Sequence, residues 1–237
     1  MNFIITILDF FYQKKKYKFL KKKISGNIDI FFDIGSHHGT TIKEFLKIFS
    51  INKIYAFEPS QKNYLKLKNN IEKIQKIKSV NIKIYQMGVG KKEEILQLNE
   101  ITDSVSNTFN KLDINSKYFK KKQFITTLFG FKKFFSNKIS TKIVTLKNFI
   151  KEEKIEKIEF IKIDTEGFEF NVLLGLEDDI RKVKFILFEH HYDNMIIKNY
   201  NFGDIHRLLD NFGFKQIFKI KMPFRKSFDY IYENKNI

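Results

Sequence analysis

The chain of 237 residues contains no cysteine, and only Arg181, Arg207 and Arg225 are arginines. The absence of cysteine excludes disulfides, thiolate nucleophiles and cysteine-based metal sites, and it is typical of an intracellular protein. The apolar run at the N-terminus lacks a basic flank, carries Asp9 and is too short to span a bilayer. We therefore expect a cytoplasmic protein without a secretory signal.

Arginine is scarce although the net charge is +17, so nearly all basic residues are lysines. Proteins that bind nucleic acid favour the forked guanidinium group of arginine. Lysine, asparagine, isoleucine and phenylalanine dominate the chain, which indicates a bias toward AT-rich codons. The charge is therefore weak support for a nucleic-acid partner, and we do not expect one.

Short apolar runs alternate with helical patterns, which is typical of βαβ units around a parallel sheet. The run "IDIFFDI" is apolar on both faces, as expected of a central strand. Further strands are predicted at "KIYAFE", "NIKIYQM", "IEFIKI", "KFILFE", "FKQIFKI" and "SFDYIYE", with a short extra strand at "EEILQLN". Residues 100–140 interrupt the alternation. Insertions of that length are usually functional or disordered, and we expect this one to be an acceptor-binding lid.

Four predicted strands end in an acidic residue: Asp33, Glu58, Asp164 and Glu189. Ligands of open α/β sheets bind outside the carboxyl ends of the strands, so these carboxylates are expected to share one crevice. Each acid alone has a simpler explanation as a helix cap, and Glu169 is best interpreted as a first-turn residue that stabilises the helix dipole.

A glycine turn, "DIGSHHGT", follows the first strand. Gly35 and Gly39 let the backbone approach a ligand, but their spacing is not the dinucleotide fingerprint. Glu58 lies one βα unit downstream, where an acid can bind both ribose hydroxyls. Asp33 would repel a pyrophosphate and favours a ligand with an adenosine, an ammonium and a sulfonium. These features predict an S-adenosylmethionine site.

These residues lie in stretches that resemble the FkbM-type S-adenosylmethionine-dependent methyltransferases. The stretches are "FFDIGSHHGT", "IYAFEPS", "NYLKLKNNI", "MGVG", "IVTLKNFI", "FIKIDTEGFEFNVLLGL" and "KFILFEHH". The resemblance implies an α/β class I methyltransferase fold of Rossmann-like type, with helices on both faces of a mostly parallel sheet. It also implies methylation of a hydroxyl on a sugar, glycan or related natural product. Residues 26–237 would form this domain, preceded by an apolar and basic segment, residues 1–25.

The resemblance also implies roles for residues at matching positions. The cofactor-binding set is Asp33, Gly35, Ser36, His37 and Gly39 for the methionine end, Glu58 for the ribose, and Gly88 and Val89 near the adenine. The side facing the reacting groups would contain Lys162, Asp164, Glu166, Gly167 and Glu189.

Methylation of an alcohol needs an in-line approach and a base for the hydroxyl proton. The available groups are Asp164, Glu166, Glu189, His190 and His191. We assign the acceptor-side contact to Asp164 and the base to His190, although both histidines are equally explained as ordinary loop residues. Asp164 and Glu189 are also candidates for binding a divalent cation that would acidify the acceptor hydroxyl.

Two other functions remain open from the sequence. The basic surface allows an RNA methyltransferase, although the chain lacks the N/D-P-P-Y/F stretch of amino-methylating enzymes. A non-catalytic Rossmann-like binding module is the other alternative. Residues 3–23 join an apolar decade to a polybasic run, which is consistent either with peripheral contact to the inner face of a membrane or with a helix packed on the domain.

Overall fold

The computed structural model describes residues 2–24, 26–101, 107–128, 135–223 and 225–237. Within these ranges the side chains of residues 2–10, 122, 125, 126, 128, 135 and 136 are outside the description. The central sheet has seven strands in the order β3-β2-β1-β7-β8-β10-β9. They are β1 (Ile28–Ile34), β2 (Ile51–Phe57), β3 (Asn81–Tyr85), β7 (Ile158–Ile163), β8 (Val183–His191), β9 (Phe214–Lys221) and β10 (Ser227–Asn234).

Five of these strands are parallel, and β10 runs antiparallel between β8 and β9. The strand order reverses between β1 and β7, where Asp33 pairs with Lys162. The chain segments that follow these two strands leave in opposite directions, so a crevice opens between the carboxyl ends of the strands. Open α/β sheets bind their ligands in this crevice. The predicted strands and the mostly parallel sheet are confirmed.

Helices cover both faces of the sheet. One face carries α1 (Asn2–Lys23), α2 (Thr40–Ile48) and α3 (Gln61–Gln75), and the other carries α5 (Leu146–Glu152), α6 (Glu169–Leu174) and α7 (Phe202–Asn211). The two neighbouring residues Phe31 and Phe32 are both fully buried, and they belong to the two different apolar clusters. Successive side chains of a strand point to opposite faces, so a strand covered on both sides is apolar throughout.

The insertion extends a second, three-stranded sheet. It joins β4 (Gly88–Val89), β5 (Glu94–Ile101) and β6 (Phe135–Val144) in the order β4-β6-β5, and α4 (Lys117–Leu128) lies between β5 and β6. The extra strand at "EEILQLN" is thus confirmed as part of β5. Phe119 of α4 packs against Met195 and Ile196, in the loop that follows β8. The insertion therefore contacts a segment next to the carboxyl end of the sheet, while its action as a lid stays a prediction.

The helix α1 is docked on the domain over its described side chains. Tyr12, Lys16, Leu20 and Ile24 are buried at a spacing of four residues. The ring of Phe19 stacks on Phe218 of β9 with centroids 4.4 Å apart. One side of residues 12–24 therefore packs on the domain. No helix in the described part of the chain is long and apolar enough to cross a bilayer.

Candidate active site

A cavity of about 780 Å³ lies at the carboxyl ends of the parallel strands. Small-molecule sites usually have volumes of roughly 300–1,000 Å³ and contain a few well-placed polar groups. Six acidic side chains line it (Glu44, Glu58, Asp164, Glu166, Glu189 and Asp229) together with five basic ones (Lys14, Lys16, Lys47, Lys162 and Arg225). The excess of positive charge over the whole chain thus does not extend into the cavity.

The glycine loop between β1 and α2 forms one wall. Gly35 has a φ of +77°, and a Cβ at this position would lie 1.9 Å from the backbone oxygen of Asp164. Only glycine allows β1 and the end of β7 to approach this closely. Gly35, Ser36 and His37 line the cavity, whereas Gly39 starts α2 with a left-handed backbone and packs on Leu67.

Glu58 follows β2 at the edge of this loop and is 4% exposed. One carboxylate oxygen accepts the backbone N–H of His37 at 2.8 Å, and the other accepts that of Ser60 at 3.0 Å. Burial raises the pKa of Glu58 to about 7, while these backbone donors favour the ionised form. These donors, together with a hydrogen bond from the Asn63 side chain, fix the orientation of the carboxylate at the edge of the cavity.

Lys162 joins two of the acidic strand ends. Its Nζ lies 3.1 Å from Asp33 and 3.5 Å from Asp164, and it donates to the carbonyl oxygen of Gly35 at 2.8 Å. Burial lowers the pKa of this lysine, but the two carboxylates outweigh it and raise the pKa. Asp164 lines the cavity, whereas Asp33 is fully buried behind it. Asp33 therefore acts on the cavity through Lys162 and the loop.

The opposite end of the cavity is more apolar. Met87, Gly88, Val89, Leu98 and Phe109 line it, and a Cβ on Gly88 would lie 2.8 Å from the Phe109 ring. Asn107 also lines this end. Its Nδ2 is buried and has no hydrogen-bond partner among the described residues. A flat apolar slot with one open amide donor is suited to a heterocyclic base.

Glu166, Glu189 and Asp229 form the acidic wall on the other side of β7. Glu189 on β8 and Asp229 on β10 are directly paired across the two strands. Glu189 is 6% exposed, and burial raises its pKa to about 8 although His191 lowers it. The Nζ of Lys16, from α1, lies 2.8 Å from Asp229. Glu166 has a φ of +49°, an unusual backbone angle for this residue type.

The position of His190 contradicts its assignment as the base. The strand β8 continues through His191, so His190 points away from the face that carries Glu189. It is 2% exposed, lies among the rings of Tyr192, Tyr200 and Phe202, and does not line the cavity. Burial lowers the pKa of His190 to about 3.

Glu169 lies in the first turn of α6, as its sequence position suggested, and there it holds the preceding turn. It is fully buried, and its carboxylate accepts the backbone N–H of Gly167 at 2.8 Å and the hydroxyl of Tyr200 at 2.6 Å. These bonds fix the turn of residues 165–167, which presents Glu166 to the cavity.

Several cavity residues were not predicted from the sequence. They come from α1, from the insertion and from the end of the chain: Gln13, Lys16, Tyr17, Asn107, Phe109, Arg225 and Asp229. Asp229 was detectable in principle, because an acid within an apolar strand run is unusual. Lys16 was hidden among the other lysines of the polybasic run.

The predicted divalent cation is not supported. Asp164 and Glu189 both line the cavity, but the described residues contain no group of three or more histidine, aspartate or glutamate side chains arranged to hold a metal ion.

The residues of the cavity fit S-adenosylmethionine. Glu58 would hold the ribose hydroxyls, and the backbone of Gly35, Ser36 and His37 would approach the methionine end. The apolar slot at Gly88 and Val89 would take the adenine. Three observations support this fit. The Glu58 carboxylate is held by hydrogen bonds, the backbone at Gly35 leaves no space for a Cβ, and the Asn107 Nδ2 has no hydrogen-bond partner among the described residues.

Comparisons with known proteins agree with this geometry. The model of the FkbM methyltransferase domain matches residues 33–215. The crystal structure of the FkbM methyltransferase from Methylobacillus flagellatus KT is similar, with a TM-score of 0.54 at 12% identity over 87% of this chain. The chain spans only 44% of that protein. A comparison with curated proteins found no match.

Two further solved structures share the fold. M. capricolum TrmK, in complex with S-adenosyl-homocysteine, has a TM-score of 0.50 at 13% identity over 91% of this chain and 66% of its own. An rRNA methylase from Streptococcus thermophilus has a TM-score of 0.51 at 10% identity over 93% and 94% of the two chains. At these identities the likeness shows the fold alone, whereas the family model covers most of the chain, from Asp33 at the carboxyl end of β1 through β7 and β8. The chain therefore belongs to the FkbM methyltransferase family.

Proposed function

We propose that the protein is an O-methyltransferase that acts on a hydroxyl of a sugar, a glycan or a related natural product. The observation that carries this proposal is the buried carboxylate of Glu189, which lines the cavity and has a pKa raised to about 8. A general base is most effective when its pKa lies near the working pH, and an alcohol has to lose its proton during methylation.

The cofactor, when bound, supplies an electrophilic methyl group. The residues of this chain orient the partners and handle the proton. Glu58 and the glycine loop fix one end of the cavity, and Asp164 is held by Lys162 at the boundary between the two ends. Glu189 accepts the proton of the acceptor hydroxyl, and this role replaces the one assigned to His190 from the sequence.

RNA is the alternative acceptor, because one solved structure of similar fold is an rRNA methylase. The charge of the cavity favours a small acceptor over RNA. The lining contains six acidic and five basic side chains, so it lacks the excess of positive charge that a phosphate backbone needs.

The test has two stages. Calorimetric titration with S-adenosylhomocysteine should show binding that Glu58→Ala abolishes. The protein is then incubated with cofactor carrying a labelled methyl group, together with either a panel of methyl glycosides or total RNA. We expect label in the O-methyl groups of a glycoside and none in RNA. Label in RNA, with binding that weakens steeply as salt rises, would reject the proposed acceptor class while keeping the enzyme class.

A further inference from the structure

His191 directly follows His190, the histidine assigned as the base from the sequence. The side chains of a strand alternate between the two faces of the sheet. Glu189 pairs with Asp229 and His191 with Ser227, while His190 between them pairs with Phe228. Glu189 and His191 therefore share the face toward the acidic wall.

Three carboxylates surround the His191 ring. Its Nε2 lies 3.3 Å from Glu189 Oε1 and 3.4 Å from Glu166 Oε2. Its Nδ1 lies 3.5 Å from Asp193 Oδ2 on the other side of the ring. The side chain of His191 is 11% exposed. An imidazole ring buried among three acids is a cation held by its surroundings.

Two buried atoms of this cluster are not yet hydrogen-bonded. Glu189 Oε1 and His191 Nε2 form no hydrogen bond among the described residues, although they are 3.3 Å apart. Hydrogen bonds of catalytic groups are often long without substrate and tighten when it is bound. The backbone that carries Glu166 is also held in place, because the Thr108 hydroxyl donates to its carbonyl oxygen at 2.6 Å.

We propose that His191 is a positioning residue of the acceptor site, which favours the ionised form of the base Glu189 and directs it at the acceptor hydroxyl while Asp193 fixes the ring from behind. The proposal rests on the proposed function, since it assigns a role within the same site.

The charges around His191 support this role. Burial lowers its pKa, but Glu166 and Glu189 outweigh that effect and raise it to about 10. The ring is therefore charged when Glu189 titrates, and its charge lowers the pKa of Glu189. The other titratable groups that face this cluster include Asp164, Glu169, Asp229, Lys198, Tyr118 of α4, and Tyr12 and Lys16 of α1.

The proton balance is simple. The acceptor oxygen takes the methyl group as the new O–C bond forms and the C–S bond breaks, and the bonding electron pair stays on sulfur. The hydroxyl proton passes to the Glu189 carboxylate. The imidazolium of His191 donates toward that carboxylate throughout and is not consumed.

The test follows the titration of Glu189 by NMR in the full-length protein without cofactor, labelled with ¹³C at the glutamate carboxyl carbons, in buffer with a chelator. Glu189→Gln assigns the signal, and the pH is varied from about 5 to about 10. We expect a midpoint near 8 in the wild type. His191→Gln should raise it by about one unit or more, because a cation within about 4–6 Å is lost.

Two further variants separate this role from a purely structural one. Glu166→Gln should lower the midpoint, because it removes a like charge that raises the pKa of Glu189. His190→Gln, a change in the adjacent residue on the other face, should leave the midpoint unaltered. An unchanged midpoint in His191→Gln, or an equal shift in His190→Gln, would overturn the proposal. Should His191→Gln not fold, the sign of the Glu166→Gln shift decides.

The proposed function can fail separately. The NMR midpoints of Glu189 are measured without cofactor or acceptor, so they test the role of His191 alone. Absence of binding in the S-adenosylhomocysteine titration would count against the proposed function alone.

Discussion

The ion pair between Lys16 and Asp229 should hold α1 onto the sheet. The two charged atoms lie 2.8 Å apart, and the side chains are 10% and 7% exposed. Removal of one partner from a buried pair leaves an uncompensated charge, which typically costs about 3–5 kcal/mol of unfolding free energy. Lys16→Met leaves Asp229 buried beside Glu189, its neighbour across the strands, without the cation that compensates it.

The magnitude can be measured by urea unfolding at neutral pH. With a slope of about 3 kcal/mol per molar urea, a loss of about 3–5 kcal/mol lowers the midpoint by about 1–2 M. The double variant Lys16→Met/Asp229→Leu should be close to the wild type, because an apolar pair of similar volume often replaces a buried ion pair without loss. The difference between the single and double variants gives the coupling energy of the pair.

The matched control is Lys15→Met, one residue earlier on the same helix, where the side chain is exposed. Surface substitutions of this kind usually change stability by less than about 0.5 kcal/mol. A Lys16→Met variant as stable as Lys15→Met would refute the docking of α1 described above.

Three further predictions concern the cofactor side and the N-terminus. Gly35→Ala should abolish S-adenosylhomocysteine binding, because its Cβ would lie 1.9 Å from the backbone oxygen of Asp164. Gly26→Ala, which has a similar left-handed φ but no atom within 4 Å, should keep that binding, and equal losses would discredit the steric argument. The affinity for S-adenosylhomocysteine should fall as the pH drops below about 7, because protonation of Glu58, whose pKa burial raises to about 7, removes the acceptor of the ribose hydroxyls. Calorimetry on Glu58→Gln should show a weak affinity that does not vary with pH, and the same flat profile in the wild type would contradict the assignment. Contact of residues 3–23 with a membrane stays a prediction: the full-length chain should co-sediment with phosphatidylglycerol vesicles more than with phosphatidylcholine vesicles, and equal recovery with both would reject an electrostatic contact.

The sheet was predictable because each strand carries its own local signal. Parallel strands covered on both faces must be apolar throughout, and runs such as Ile28–Ile34 and Ile158–Ile163 meet that requirement. The acids that end these runs then lie at one edge of the sheet, and this can be predicted without knowing any long-range contact. Glu58, Asp164 and Glu189 do line the cavity, and Asp33 lies directly behind it.

The walls that close the cavity were not predictable in the same way. Lys16 and Asp229 are 213 residues apart in the sequence, and the burial of each depends on its ion pair with the other. A buried lysine looks like a surface lysine until its partner is known, and here it is one of many in a polybasic run. Phe109 and Asn107 belong to the insertion, where no regular period indicates which side chains turn inward.

The wrong assignment of His190 has a different cause. The sequence contained enough information to show that His191, not His190, lies on the same face as Glu189. The predicted strand ended at Glu189, so both histidines were treated as loop residues with equal access to the cavity. The strand in fact continues to His191. If Glu189 faces the ligand and the strand continues, the two-residue period of a strand directs His191 to the same face and His190 to the apolar face behind. This alternation explains both positions. His190 is buried among three aromatic rings, and His191 lies between Glu166 and Glu189. The apolar pattern of a strand covered on both faces does not show which side chains face the ligand. An acid that must reach the ligand identifies that face, and the alternation of the strand then gives the face of every later residue in it.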